Sequence, residues 1–300
     1  MIDKNEECSS PVFAASFEGN RDYQEDFYAV SSHHNQTLLV ISDGMGGHSS
    51  GDVASRMVVQ SLTENFIKYR EFEIIIHRGI EEAREKMLDY GKNMGATVVV
   101  AMVDKKNSHY NVILTWIGDS RIYAVTSPGR VLPNAREIGI SPDNKKLWLL
   151  TEDDSIIWSF FLKNELTLDE LTQHPIKNQL DYSVHPDKFQ APIKAVSRIR
   201  RFTLEQDDIL LLCSDGVWES FPKQLDIPKY LLPHTIENSL PSYLKNAIET
   251  GMCSDNATFI IAKMNDDLFH QNCSASEPEI DDTLPDKKIF KHIFSSNQKK

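Results

Sequence analysis

Four aspartates stand out by their positions. Asp43 in "LLVISDG", Asp119 in "VILTWIGDS" and Asp215 in "DILLLCSDG" each close a run of apolar residues, and Asp255 in "CSDNATFIIA" opens one. Taken singly, any of them reads equally well as turn chemistry, because Asp bonds back to the local backbone and a following Gly accepts positive φ. Four together ask for more. Strands of one sheet that end at the same edge bring their last side chains together, and gathered carboxylates repel unless positive charge lies between them. The economical counterion is a divalent metal. Asp carboxylates, a backbone carbonyl and water form an all-oxygen site suited to Mg²⁺ or Mn²⁺, whereas zinc favours His and Cys. Two such ions about 3.5–4 Å apart share a carboxylate and a bridging water whose pKa falls until it is a usable nucleophile, and that is hydrolytic chemistry.

The glycine-rich turn after Asp43, "DGMGGH", excludes its rivals by its letters. A dinucleotide fingerprint needs glycine where Ser49 stands, and a phosphate-binding P-loop needs Gly-Lys-Ser/Thr, which is absent. An EF-hand needs repeated acidic residues before the glycine, and only Asp43 precedes Gly44. What remains is a strand-terminal carboxylate followed by a turn almost without side chains, where the Gly44 carbonyl can reach an ion. A phosphate substrate also needs a positive clamp. "GNRDYQED" offers Arg21, whose planar guanidinium holds two phosphate oxygens at once, just before the acids Glu25 and Asp26. Without those acids Arg21 would read as a surface residue.

The elements that must position these residues follow from periodicity. "VFAASF", "DFYAV" and "TLLVIS" read as strands, the last one buried on both faces. From Asp52 the apolar positions Ala54, Met57, Val58, Leu62, Phe66 and Ile67 recur at helical spacing, and a second helix is predicted from about Glu73 to Asp89. Strand character returns in "ATVVVAMV", "YNVILTWIG" and "SRIYAVTS", followed by a Pro/Gly/Asn-rich loop or hairpin from Ser127 to Lys145. Short helices then precede the strand "DDILLLCS", a helix interrupted near Pro241, and the final strand "ATFIIAKM". Two clusters of antiparallel strands with helices between them predict an α+β fold of two sheets covered by helices.

Composition narrows the function classes. The 300 residues are 40% hydrophobic and carry 32 basic against 44 acidic side chains, a net charge of −12, with no basic stripe, so nucleic acid is an unsuitable partner. No signal pattern and no apolar run of about 20 residues occurs, which predicts a chain that is not in the membrane and resides in the cytoplasm. The four cysteines are scattered, excluding zinc ribbons and redox dithiols. From Asn265 the composition turns to Pro, Ser and Asp, so 1–264 is predicted to be the folded domain and 265–300 a largely disordered tail.

Eight short motifs in order, "GNRDYQED", "SDGMGGH", "GAT" (Gly95–Thr97), "GDSR" (Gly118–Arg121), "LTEDDS", "HPIKN", "LLLCSDG" and "SDNAT", make the chain resemble the metal-dependent Ser/Thr protein phosphatases of type 2C, and "DGMGGH" with "HPIKN" resembles the bacterial branch. The resemblance covers residues 12 to 264. It implies a four-layer α/β/β/α sandwich with two Mn²⁺ or Mg²⁺ ions at one edge of the two antiparallel sheets. It also implies hydrolysis of phosphoserine and phosphothreonine by a bridging hydroxide without a phosphoenzyme. Carried over by position, Asp43 bridges both ions and Gly44 lends its carbonyl. Asp215 and Asp255 complete the first ion's shell, Glu25 and Asp26 lie by the second, Asp119 matches a third, weaker ion, and Arg21 matches the phosphate-binding arginine. Met45 stands where animal members carry a histidine proposed as general acid, which leaves His48, a metal-bound water or no group in that role. Gln24 replaces the usual Asn, Asp154 replaces the histidine of the usual "DHS", and "DYSVHPDKF" stands where a segment like "RALG" is expected. The implied partners are phosphoprotein substrates and a Ser/Thr kinase, met by a monomer. The competing readings are a pseudophosphatase that binds phosphoproteins or regulates a kinase without turnover and a metal-dependent nuclease or phosphodiesterase, the latter opposed by the acidic body.

Overall fold

The computed structural model describes residues 11–46, 50–91, 93–231 and 238–269. In chain order the first half runs β1 (Val12–Phe17), β2 (Asp26–His33), β3 (Gln36–Met45), α1 (Gly51–Lys68), α2 (Phe72–Tyr90), β4 (Gly95–Ala96), β5 (Val98–Lys106), β6 (His109–Ile117) and β7 (Arg121–Thr126). The second half runs β8 (Arg136–Ile140), β9 (Lys146–Leu149), α3 (Trp158–Leu162), α4 (Leu168–Leu171), α5 (Ala191–Ser197), β10 (Arg200–Leu204), β11 (Ile209–Cys213), α6 (Asp215–Glu219), α7 (Pro228–Leu231), α8 (Leu240–Glu249) and β12 (Ala257–Lys263). One antiparallel sheet is ordered β1-β12-β11-β7-β9-β8, and the other β10-β6-β5-β3-β2 with β4 paired to the end of β3.

The uninterrupted apolar runs of the central strands are explained by burial on both faces. Along β3, Leu39 and Ile41 point between the sheets and meet the layer that holds Leu210, Leu212 and Ile260, while Leu38 and Val40 point the other way, into the layer shared with α1 and α2. The second sheet's outer face is covered likewise: Tyr123, Leu211 and Phe259 pack with Trp218, Leu240 and Leu244. Helices therefore flank two stacked sheets, the α/β/β/α sandwich predicted from the motifs. In α1 the stripe Ala54, Val58, Leu62 and Phe66 is buried, and in α2 Ile76, Ile80, Ala83 and Met87 are, each large side chain contributing about 1.5–3 kcal/mol relative to exposure. The two helices pack tightly at Gly79, where a Cβ would lie 2.8 Å from Leu62 Cδ2.

Several elements differ from the sequence reading. Of the two alternatives for Ser127–Lys145 the hairpin holds, since the passage contributes β8 paired with β9, whereas β9, β10 and α5 have no strong periodicity to announce them because each is seven residues or shorter. Pro241 does not interrupt a helix. It lies in the first turn of α8, where a missing N–H costs nothing, and the Ser239 side chain accepts from the Ser242 amide. The fold also passes the predicted boundary at 264: Asp266–Phe269 forms a 3₁₀ turn, Leu268 is buried, and Thr37 Oγ1 donates to the Leu268 carbonyl at 2.9 Å. The rest of the predicted tail, from His270, lies outside the described residues, as does His48. Among the described residues no helix is long and apolar enough to cross a membrane.

Candidate metal centre

The carboxylates reach one place from both sheets, which corrects the expectation that strands of a single sheet deliver them. Asp26 and Asp43 are direct register partners at adjoining ends of β2 and β3. Asp119 lies in the short connection by which the chain leaves β6 and enters β7 in the other sheet. Asp215 opens α6 after β11, and Asp255 stands just before β12. Asp43 is not the end of its strand: β3 continues through Met45 because Gly44 and Met45 pair with Ala96 and Gly95.

Their electrostatics are those of crowded, buried anions. Burial pushes Asp26 up to about 7, against the Ser214 hydroxyl that donates to its Oδ2 at 2.7 Å. Burial, then the charges of Asp153 and Glu219, push Asp119 up to about 8. Asp43 is held well above the usual carboxylate range by burial and by Asp26, Asp215, Asp119 and Asp255, and Asp215 likewise by burial and by Asp119, Glu219, Asp255 and Asp26. Glu25 is raised by burial in spite of Arg21. The Oδ1 atoms of Asp26 and Asp215 are buried with no hydrogen-bond partner, an arrangement that costs free energy unless a cation supplies the missing contact.

Local chemistry holds the backbone around these acids. Thr97 brackets Asp43: its amide donates to the Asp43 carbonyl at 2.8 Å, and its Oγ1 accepts from the Asp43 amide at 3.1 Å while contacting Ser120 Oγ at 2.8 Å. Trp218 Nε1 donates to the Asp119 carbonyl at 3.1 Å. Asn256 fastens the β1–β2 loop to the start of β12: its Nδ2 donates to the carbonyls of Glu18 at 2.8 Å and Tyr23 at 3.0 Å, and its Oδ1 accepts from the Glu25 amide at 2.8 Å. Two glycines permit the close packing. A Cβ on Gly44 would strike the Gly51 carbonyl, and one on Gly51 would strike the Glu25 carboxylate.

The structure brings together Glu25, Asp26, Asp43, Asp119, Asp215 and Asp255, but it pairs two of the predicted residues with each other. Arg21 Nη2 donates to Asp255 Oδ2 at 2.6 Å, with the Arg21 side chain half exposed. The predicted phosphate clamp and a predicted metal ligand thus share one ion pair. Among the described residues, no three His, Cys, Asp or Glu side chains form a ready-made ligand set around a single point. Sequence reasoning gave no role to Asn256, Thr97, Ser214 or Glu219, although "GAT", "SDNAT" and "SDG" contain or adjoin them. Glu219, which forms an ion pair with Lys177 of "HPIKN", had no signal beyond its place one helical turn after Asp215.

A family profile described as Protein phosphatase 2C matches residues 16–247, most of the chain. The chain belongs to the protein phosphatase 2C family. Among curated relatives it is similar to the serine/threonine phosphatase stp of Listeria welshimeri, 28% identical over 222 residues that span 68% of this chain and 75% of the relative. Among solved structures it resembles serine/threonine phosphatase Stp1 from Staphylococcus aureus, with a TM-score of 0.66 and 27% identity over 85% of this chain and 95% of that one. It shares its fold with the catalytic domain of the serine/threonine protein phosphatase PstP, solved in complex with 2 manganese ions (TM-score 0.60, 21% identity, 84% of this chain and 96% of that one). In this phosphatase 2C chain the donor chemistry fits a hard dication. The acids offer oxygen donors, Asp26 Oδ1 and Asp215 Oδ1 are buried and unpaired, and their mutual repulsion asks for more positive charge than Arg21 supplies, since its direct ion pair is with Asp255.

Proposed function

We propose that this chain is a metal-dependent protein phosphatase that hydrolyses phosphoserine and phosphothreonine directly, without a phosphoenzyme. The observation that carries the reading is the convergence of five buried or half-buried aspartates, with unpaired Oδ1 atoms on Asp26 and Asp215, beside Arg21. In the proposed site Asp43 would serve two Mn²⁺ or Mg²⁺ ions and the Gly44 carbonyl one of them; Asp215 and Asp255 would complete the first ion's shell, Glu25 and Asp26 would lie by the second, and Asp119 would serve a third, weaker one. When bound, the ions supply an activated water for attack on phosphorus and neutralise charge on the phosphoryl oxygens. The chain's own residues do the rest. Arg21 leaves Asp255 to grip two phosphate oxygens, with the planar fork that suits them. Thr97 and Trp218 hold the backbone of Asp43 and Asp119, and Asn256 holds the loop that carries Arg21 and Glu25. The family's histidine position is filled here by Met45, and His48 is the candidate we propose to donate the proton to the leaving serine or threonine oxygen.

The substrates proposed are phosphoproteins, opposite a Ser/Thr kinase, acted on by a cytoplasmic monomer. The test is release of phosphate from a phosphothreonine peptide by purified protein with Mn²⁺. Activity abolished by EDTA and by Asp215→Asn supports the proposal. Turnover indifferent to both overturns it, and peptide binding without release replaces it with the pseudophosphatase reading.

A further inference from the structure

Asp154 departs from the histidine that the type 2C resemblance leads one to expect, and the structure gives this buried carboxylate several partners. Its Oδ2 accepts from the Gly118 amide at 3.0 Å and from Arg198 Nη1 at 2.7 Å, and its Oδ1 pairs with Lys194 Nζ at 2.9 Å. Its backbone is tied to the same places, since its amide donates to the Gly118 carbonyl at 2.9 Å and its carbonyl accepts from the Asp181 amide at 2.8 Å. Gly118 immediately precedes Asp119 and sits at φ +101 with no room for a Cβ over Thr97, so the Asp119 turn has little freedom of its own. On the far side of that turn Asp153 grips Arg121 through two hydrogen bonds, 3.0 Å to Nε and 2.7 Å to Nη2. Two consecutive carboxylates therefore hold the residues on either side of Asp119.

The two grips differ in kind. The Asp153–Arg121 pair is sealed from solvent. The Asp154 grip is buried only at the carboxylate end: Lys194 and Arg198, in and just after α5, are about a quarter exposed, and Lys194 also lies 3.8 Å from the Tyr182 ring centroid. The segment before α5 runs beside the site, because Val184 bridges Ala96, the partner of Gly44. We infer that Asp154 is a positioning residue whose carboxylate latches the α5 segment, through Lys194 and Arg198, to the turn that presents Asp119. The latch is ionic, its outer half is open to salt, and release of α5 loosens Asp119 at the same time. A histidine at this place could accept from Gly118 but could not neutralise two cations.

The latch is tested on the full chain with Asp154→Asn, which keeps the shape and loses the charge, and with Arg198→Gln, which removes one outer partner and leaves the buried carboxylate in place. The proteolysis readout is chymotryptic cleavage after Phe189, an exposed site two residues before α5. Opening of α5 is expected to make cleavage about fivefold faster in either variant at low salt, because local opening governs such rates. Wild-type cleavage accelerates as NaCl is raised from about 0.05 to 1 M, where screening shortens from roughly 14 to 3 Å, and Asp154→Asn is indifferent to salt. The double variant adds nothing to Asp154→Asn alone. The catalytic consequence rests on the phosphatase reading above. Loss of support to a ligand-bearing turn lowers kcat roughly tenfold, equally on an aryl phosphate and on a phosphopeptide and with KM little changed. Cleavage by Asp154→Asn at the wild-type rate, or additive effects in the double variant, overturns the latch. A wild-type protein without turnover sinks the phosphatase reading instead and leaves the latch to be decided by proteolysis.

Discussion

At the scale of single residues the centre is a set of anions that oppose one another. Asp215 illustrates it: burial and four neighbouring carboxylates hold it well above its ordinary range, and its Oδ1 has no partner. In the proposed site Asp215→Asn would remove a ligand and a repulsive charge together, so it separates function from stability. With Mn²⁺ present it is expected to lower phosphopeptide turnover by about 100-fold or more, the scale of losing one preorganised electrostatic contact. In EDTA it is expected to melt higher than wild type, at about 2–4 °C for each kcal/mol of relieved repulsion in a chain of this size. Calorimetry of both proteins with and without metal checks the opposite signs. Arg21 has a different signature because it is half exposed and its proposed role is to grip the substrate phosphate rather than an ion. Arg21→Ala is expected to cut kcat/KM roughly 10- to 100-fold, as loss of a bidentate charge-assisted contact does, while Mn²⁺ titration by calorimetry still shows binding.

At the scale of elements, function depends on joints between strands and loops. Asn256 joins β12 to the β1–β2 loop through three hydrogen bonds, two given to carbonyls and one taken from the Glu25 amide. Asn256→Ala leaves the Glu25 amide and the Tyr23 carbonyl without these partners, and the Glu18 carbonyl with only the Arg21 amide at 3.4 Å, and is expected to cost about 2–3 kcal/mol, read from urea midpoints, together with activity. Asn256→Asp keeps the acceptor for Glu25 but turns a carboxylate oxygen toward the Glu18 and Tyr23 carbonyls in an already acidic site, and is expected to cost at least as much as Asn256→Ala. Such joints were the part hardest to read in the sequence. The long strands and α1 and α2 were legible because their apolar residues repeat at periods of two or 3.6, or fill a run buried on both faces. The aspartates were legible because each interrupts or bounds such a run. What a chain cannot display locally is which sheet a strand joins, so the carboxylates were expected from one sheet and come from two. Nor does it display the Arg21–Asp255 pair, which spans most of the sequence. The short elements β9, β10 and α5 offer too few residues for a period, and Leu268 gives no hint in a polar passage that it is buried beside Thr37.

At the scale of the whole molecule the acidic cluster makes stability, pH and metal one linked quantity. Without a bound ion, burial and neighbouring charges disfavour the ionised forms and push Asp26 up to about 7 and Asp119 up to about 8. In the unfolded chain both revert to about 3.9. Between those values the native state binds more protons than the unfolded state, so unfolding free energy falls as pH rises. The contribution is fully present below about pH 4, is lost progressively as pH rises through the folded values, and is gone above roughly pH 8. Melting curves in EDTA are therefore expected to move to lower temperature from pH 5 to pH 8, a trend opposite to that of carboxylates stabilised by salt bridges. If the proposed site is right, Mn²⁺ is expected to reverse the slope, since it would bind the ionised carboxylates of the folded state and compete with their protons. At 100 times its dissociation constant a bound ion adds about 2.7 kcal/mol, and it adds most at high pH, where no proton has to leave. The pair of titrations, with EDTA and with excess Mn²⁺, should cross or converge near pH 5 and diverge steadily above it. Parallel curves would mean that the aspartates do not take up the ion, and the metal centre would have to be sought elsewhere in the fold.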